Sequence, residues 1–281
     1  MDPRGNTFSR QKVRRHCRRA IGASGVRQTE ARAAVRCRKN PVTFVTLIGS
    51  SGWSLIAPMM DKRMGDTSMI TISAFSHVPD AAKGLVRDLR VRWALEEAGL
   101  SYRVRLLAQG DQNKPAYRAL QPFGQVPIFE ENGLVLFESG AIVLHIAQRS
   151  GALLPEDPAA RARGVQWLFA ALNSVEPAIW NVFVIDNLHQ KEEWARLRRP
   201  GAVEFMNRKL DALARRLGER PFLDGERFTA GDLMMATVLR FHSDTSRLDP
   251  SLVAYLDRCT SRPAFRRALD AQLGDYRSDA A

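Results

Sequence analysis

Gly124-Gln125-Val126-Pro127, followed eleven residues beyond Pro127 by Glu138-Ser139, is the stretch on which the fold is decided. Only an X-Pro bond makes a cis peptide inexpensive, and Pro127 follows a small, turn-rich run suited to one. A cis bond here would leave the Val126 N–H and C=O facing outward, unpaired by any strand. An extended peptide can dock on two such groups as an added strand does. Glu138 then supplies a carboxylate, and Ser139 stands where a helix is predicted to begin. A free amino-acid end carries an ammonium and a carboxylate. Glu138 suits the first; the Ser139 hydroxyl, with the helix N-terminus behind it, suits the second. The ordered set predicts a thioredoxin-like domain that holds a short peptide.

Working outward, Ile70-Thr71-Ile72-Ser73-Ala74-Phe75 is predicted to open that domain as a strand. Leu85, Leu89 and Trp93 recur at helical spacing, and Gly99 is a natural C-terminal stop. Tyr102 to Leu106 alternates as a half-buried strand does. Pro127 to Phe129 and Leu134 to Phe137 are short apolar runs joined through Asn132-Gly133, a tight-turn signal. Ser139 caps a helix through Ile142, Leu144, His145 and Ile146. This order fits a four-stranded mixed sheet with helices on both faces. Ser150 to Pro158 reads as a linker, and beyond it helical patterns replace strands. Trp167, Leu168, Ala171, Leu172 and Val175 make one apolar face; Phe205, Leu210, Leu213 and Leu217 make another. Thr229 and Asp232 form a reciprocal capping pair, flanked by Phe228 and Leu233 at staple positions, with a structural role. The fold class is therefore α/β thioredoxin-like followed by an all-α bundle, over residues 69–150 and 159–281.

Net charge is +12, but residues 1–68 hold 14 Lys+Arg against 4 Asp+Glu, while the other 213 residues hold 28 against 26. The basicity belongs to the leader, so a nucleic-acid reading of the folded body is not warranted. Residues 1–68 read as a basic, disordered or non-native leader, with a targeting role and a nucleic-acid or acidic-lipid tail as the alternatives. The Gly/Ser break at 49–52 and Pro58 argue against a spanning helix there. The three cysteines, Cys17, Cys37 and Cys259, show no Cys-x-x-Cys spacing. With no cysteine between Val78 and Arg258, thiol–disulfide exchange by a protein thiol of the usual kind is excluded.

Three stretches carry a resemblance to the cytosolic glutathione transferase family, from about Met69 to the C-terminus. They are Arg92-Trp93-Ala94-Leu95-Glu96-Glu97-Ala98-Gly99-Leu100, Gln121-Pro122-Phe123-Gly124-Gln125-Val126-Pro127 and Phe228-Thr229-Ala230-Gly231-Asp232. The resemblance implies glutathione as co-substrate, no metal, and attack of its thiolate on a small apolar electrophile. It implies Gln125, Val126, Pro127, Glu138 and Ser139 as glutathione-binding residues, Gln125 toward the glycyl carboxylate. It also implies a cytoplasmic homodimer, with neither nucleic acid nor membrane as partner. A non-enzymatic scaffold or regulator, and a glutathione-dependent isomerase or lyase, share the same binding residues and stay open.

The chemistry needs more thiolate than a free thiol of pKa about 8.5 supplies at neutral pH. In the family a Tyr, Ser or Cys just after the first strand donates to the sulfur. No Tyr precedes Tyr102, so Ser76, directly after Phe75, is the candidate catalytic hydroxyl. The connection Ser76 to Gly84 is rich in breakers and departs from the family pattern, leaving the helix start open between Asp80 and a point past Gly84. His77 is the alternative donor, and Gln112 a second candidate for the glycyl carboxylate. The Arg87–Arg92 cluster reads as local helix pairing or a solvated face. Trp180, Asn181 and Phe183 read as core, or as the wall of a second-substrate pocket.

Overall fold

Strand β1 (Ile70–Phe75) is the hub of the sheet in the computed structural model, which describes residues 69–276. The leader reading for residues 1–68 lies outside the described residues. β1 pairs in parallel with β2 (Tyr102–Leu107), in register from Ile70↔Tyr102 to Phe75↔Leu107. On its other side it meets β3 (Phe129–Glu131) antiparallel, and β3 turns back into β4 (Leu134–Leu136), giving the order β2-β1-β3-β4. Asn132 and Gly133 make that turn with φ of 50° and 82°, the left-handed values a two-residue hairpin requires. The strand expected from Pro127 starts two residues late. Ile128 gives its N–H to the Ser73 hydroxyl (2.9 Å) and accepts from the Ser73 N–H (3.1 Å), so it anchors the chain to β1 before the named ladder begins.

Helix α1 (Asp88–Ala98) begins well past Gly84; Ser76 to Arg87 is an irregular connection with a single 3-10 turn at Asp80–Ala82. Gly99 ends the helix at φ 64°, where a left-handed residue closes the last turn. Every residue from Asp88 to Leu95 is buried, because α1 is packed by β1, α3 (Ser139–Ser150), α7 (Ala230–Leu239) and α9 (Pro263–Asp275). Trp93 lies fully buried, its ring 5.5 Å from Phe228 and 4.8 Å from Phe265. The local helix pairing expected of the Arg cluster is present between Arg92 and Asp88, but the solvated face is not, because Arg90 and Arg92 lie inside the enclosed first turns of α1. Arg90 and Arg92 are buried, and Arg92 pairs with Asp88 (2.8 Å) and with Asp275 on α9.

After the short helix α2 (Pro115–Arg118) and α3, the chain is helical. Asp157 caps α4 (Pro158–Ala170) by accepting from the Ala160 N–H (2.7 Å). A π-helical turn, Ala171–Val175, joins α4 to α5 (Glu176–Asn187) without a break. That run would pass for a membrane span on length and composition, yet its apolar side packs on α6 (Glu193–Leu217) and α7. On α6 the inward stripe is Ala202, Met206, Leu210, Leu213 and Leu217, while Phe205, expected inside, is exposed. Phe205 is one position off the stripe, and its ring instead lies under the Arg208 and Lys209 cations. α7 is buried along its whole length and crosses α4 closely. A Cβ on Gly231 would sit 2.5 Å from the Trp167 Cβ, so only glycine fits there. α8 (Pro250–Thr260) and α9 complete the described chain.

Candidate functional site

A cleft of about 380 Å³ lies where the turn before β3 and the N-terminus of α3 face the π turn and α5. Five of the six residues singled out in the sequence line it: Gln125, Val126, Pro127, Glu138 and Ser139. The Val126-Pro127 bond is cis. Among the described residues neither the Val126 N–H nor its C=O takes a hydrogen bond, so both remain open to an extended peptide. The turn is held from behind. The Tyr117 hydroxyl donates to the Gln125 carbonyl (2.7 Å) and contacts the Ser73 hydroxyl (2.8 Å), which in turn accepts from Ile128.

Glu138, not Ser139, is the residue that precedes the first helical turn of α3, and its backbone sits at φ 67°, ψ 112°. A non-glycine residue in that region costs on the order of 1–3 kcal/mol and persists only where its surroundings impose it. Here it places Glu138 on the cleft wall, with Ser139 as the first residue of the helix. Ser139 is buried, and its hydroxyl oxygen accepts from Arg90 Nη1 (3.3 Å). With its oxygen engaged from behind, the hydroxyl hydrogen is left to donate into the cleft.

Arg90 links the two halves of the molecule. Its Nη2 donates to Glu176 Oε1 (3.0 Å), and the same oxygen accepts from Arg87 Nε (3.2 Å) and Nη2 (2.8 Å). Burial pulls the Arg90 guanidinium below its ordinary value, opposed by the adjacent Glu176 carboxylate. Sequence reasoning missed Arg90 and Glu176 as cleft residues. The available signal was that Arg90 stands three residues before Trp93, on the face of α1 that the apolar spacing marks as inward.

A second pocket of about 260 Å³ adjoins the first and is mainly apolar, with Phe75, Leu85, Val86, Phe183 and Phe241 in its walls. Trp180 and Phe183 stack at 5.2 Å and both meet Phe241 edge-on. Asn181 turns the other way, accepting from Arg198 (3.4 Å). Arg87, Gln125, Val126 and Trp180 line both pockets. Neither Ser76 nor His77 is among the residues lining either one. The Ser76 N–H bonds to the Leu107 carbonyl (2.9 Å), keeping it on the β2 side. Gln112 is a turn residue whose Oε1 accepts from the Gly110 N–H (2.8 Å), and it too lies outside both linings.

Fold and site together define a thioredoxin-like and all-helical protein with a polar cleft beside an apolar pocket. The family models for the glutathione S-transferase N-terminal domain and C-terminal domain match residues 83–148 and 192–271. The disulfide-bond oxidoreductase YfcG of Escherichia coli K12 is 32% identical over 203 residues, covering 66% of this chain and 91% of that protein. The maleylacetoacetate isomerase of Pseudomonas aeruginosa is 31% identical over 199 residues, covering 66% and 92%. A glutathione transferase family member from Pseudomonas fluorescens Pf-5, solved with two glutathione bound, superposes with a TM-score of 0.61 at 25% identity, covering 74% and 95%. The chain belongs to the glutathione S-transferase family.

Proposed function

We propose that the protein is a glutathione S-transferase that joins the glutathione sulfur to a small apolar electrophile. The observation that carries this is the pairing of a polar cleft with an adjoining apolar pocket, sharing Val126 between them. Glutathione docks extended on the free Val126 backbone groups beside Pro127. Its γ-glutamyl ammonium faces Glu138, its γ-glutamyl carboxylate faces the Ser139 hydroxyl, and Gln125 faces the glycyl end. The electrophile occupies the pocket of Trp180, Phe183 and Phe241, so that proximity supplies much of the rate. In this reading residues 69–150 bind glutathione, residues 159–281 form the helical domain, and the protein works in the cytoplasm. Retention on immobilised glutathione and turnover of a chloronitroarene are the direct tests. A chain that is retained but turns over no electrophile would sink conjugation and favour a scaffold.

The similarity to the Escherichia coli disulfide-bond oxidoreductase supports a second reading, reduction of small disulfides. With no cysteine between Val78 and Arg258, the reductant in this reading is glutathione's own sulfur. Faster turnover of a simple dialkyl disulfide than of any chloronitroarene would establish it.

Glu138→Ala and Ser139→Ala are expected to weaken glutathione binding more than folding. Each removes a charge-assisted bond to the γ-glutamyl end, worth about 1.5–3 kcal/mol, a rise in Kd of roughly tenfold to a hundredfold. Isothermal calorimetry with parent-like affinity in both variants would show that the cleft has been assigned the wrong ligand end.

Dimerisation is proposed through the exposed apolar edge where the Phe123 and Phe137 rings meet at 6.1 Å, next to Leu134 and Val135. Phe123, on the loop before Val126, is 62% exposed and extends this apolar patch into solvent. Phe123→Asp is expected to shift sedimentation from dimer to monomer, while its melting temperature measured at one protein concentration falls. A parent chain that sediments as a monomer would exclude this interface.

A further inference from the structure

We propose that Arg87, rather than a hydroxyl at the end of the first strand, is the group that stabilises the glutathione thiolate. The inference rests on glutathione occupying the Val126–Glu138–Ser139 cleft. If its central residue pairs with Val126 and its γ-glutamyl end reaches Glu138, the sulfur lies over the seam between the cleft and the apolar pocket. That is also where an electrophile must meet it. Four residues line both cavities, and Arg87 alone among them carries a charge.

Arg87 is held for this task from two sides. Its Nε and Nη2 are fixed on Glu176 Oε1, and its guanidinium carbon lies 5.2 Å from the Trp180 ring centroid. Among the described residues, Nη1 takes no partner, and the side chain keeps 35% of its exposure. Glu176 is shared with Arg90, so one carboxylate faces two guanidinium groups. In this arrangement Glu138 meets the ligand's ammonium, and the ligand's γ-glutamyl carboxylate lies on the Arg90 side, at Ser139. Arg87 is then the cation left beside the seam, and its Nη1 is the donor that an anion there meets.

The chemistry follows from arginine's fixed protonation. Arg87 cannot accept the thiol proton, so that proton leaves to bulk water and the sulfur keeps the electron pair. The thiolate then forms a C–S bond with the electrophile, whose leaving group departs with the pair of the broken bond. A cation within about 4–6 Å lowers an acid's pKa by roughly one to three units. Ser76, by contrast, lines neither cavity, and its backbone N–H bonds to the Leu107 carbonyl.

The test is ultraviolet titration of the bound thiolate in the full-length protein, with S-methylglutathione, which has no ionisable thiol, as the binding probe. Arg87→Gln is expected to raise the bound thiol's pKa by about one unit or more and to cut neutral-pH turnover about tenfold, recovering as pH rises. Arg87→Lys, which keeps the charge without the fork, should retain most of the shift. S-methylglutathione affinity should stay within a few-fold in both variants. An Arg87→Gln titration curve that overlays the parent's overturns the proposal, as does a shift seen in Ser76→Ala but not in Arg87→Gln. Equal loss of S-methylglutathione binding in the Gln and Lys variants would leave Arg87 a purely structural part and also overturn it. A parent chain that binds neither glutathione nor S-methylglutathione would instead refute the reading of the cleft on which the proposal stands.

Discussion

Asp232→Ala is expected to lower the unfolding free energy by at least about 3 kcal/mol, a large part of the roughly 5–15 kcal/mol that holds a typical domain together. Asp232 is fully buried at the start of α7 and serves four donors. Oδ2 accepts from the Thr229 N–H (2.9 Å) and hydroxyl (2.8 Å); Oδ1 accepts from the Leu223 N–H (2.9 Å) and the Tyr255 hydroxyl (3.1 Å). The capping pair seen in the sequence therefore also ties α8 and the Leu223 turn to α7. Truncation strands these donors where water cannot replace the lost acceptor. Asp232→Asn should cost less, since one oxygen survives, but its amide then faces the donors that the lost oxygen served. Urea midpoints for the two variants, with unchanged slopes, are the measurement. An Ala variant within 1 kcal/mol of the parent would mean that the network contributes little.

The strands, the hairpin at Asn132-Gly133 and the stop at Gly99 were legible because each depends on a few adjacent residues. So was the cleft's near wall, since Val126, Pro127, Glu138 and Ser139 sit close together in the chain. The far wall was not legible. Glu176 reaches Arg87 and Arg90 across 89 and 86 residues, and no local pattern encodes such a pairing. The arginines at 87, 90 and 92 read as local helix pairs or a solvated face, and Arg92 with Asp88 is such a local pair. The pairs to Glu176 and Asp275 come from elements far along the chain, which no local spacing encodes. The start of α1 was hidden for a different reason. Pro79 and Gly84 both break helices, and only tertiary packing decides that the helix waits until Asp88. Phe205 shows the limit of periodicity, as a one-residue error on a 25-residue helix turns a ring from core to surface.

Glu176→Ala is the change expected to act on fold and site together. Removing this carboxylate leaves Arg90, 2% exposed, without the acceptor that faces it, and breaking one partner out of a buried ion pair costs about 3–5 kcal/mol. Glutathione binding should weaken as well, because Arg90 also orders the Ser139 hydroxyl. The pH dependence gives an independent check. Burial pushes the Glu176 carboxyl up, but Arg90, and then Arg87, outweigh it and hold the group below the usual carboxylate range. A depressed native value means that this stability is fully present above the unfolded carboxylate's pKa, about 4.3. It is lost as pH falls below that value toward the native one, because the unfolded chain then binds the proton first. The stability gap between parent and Glu176→Ala should therefore be constant from neutral pH to about pH 5 and narrow on further acidification. Denaturant titrations of both chains across that range measure the gap directly. A gap that stays constant down to pH 3 would show that the Glu176 charge is not what the two arginines depend on.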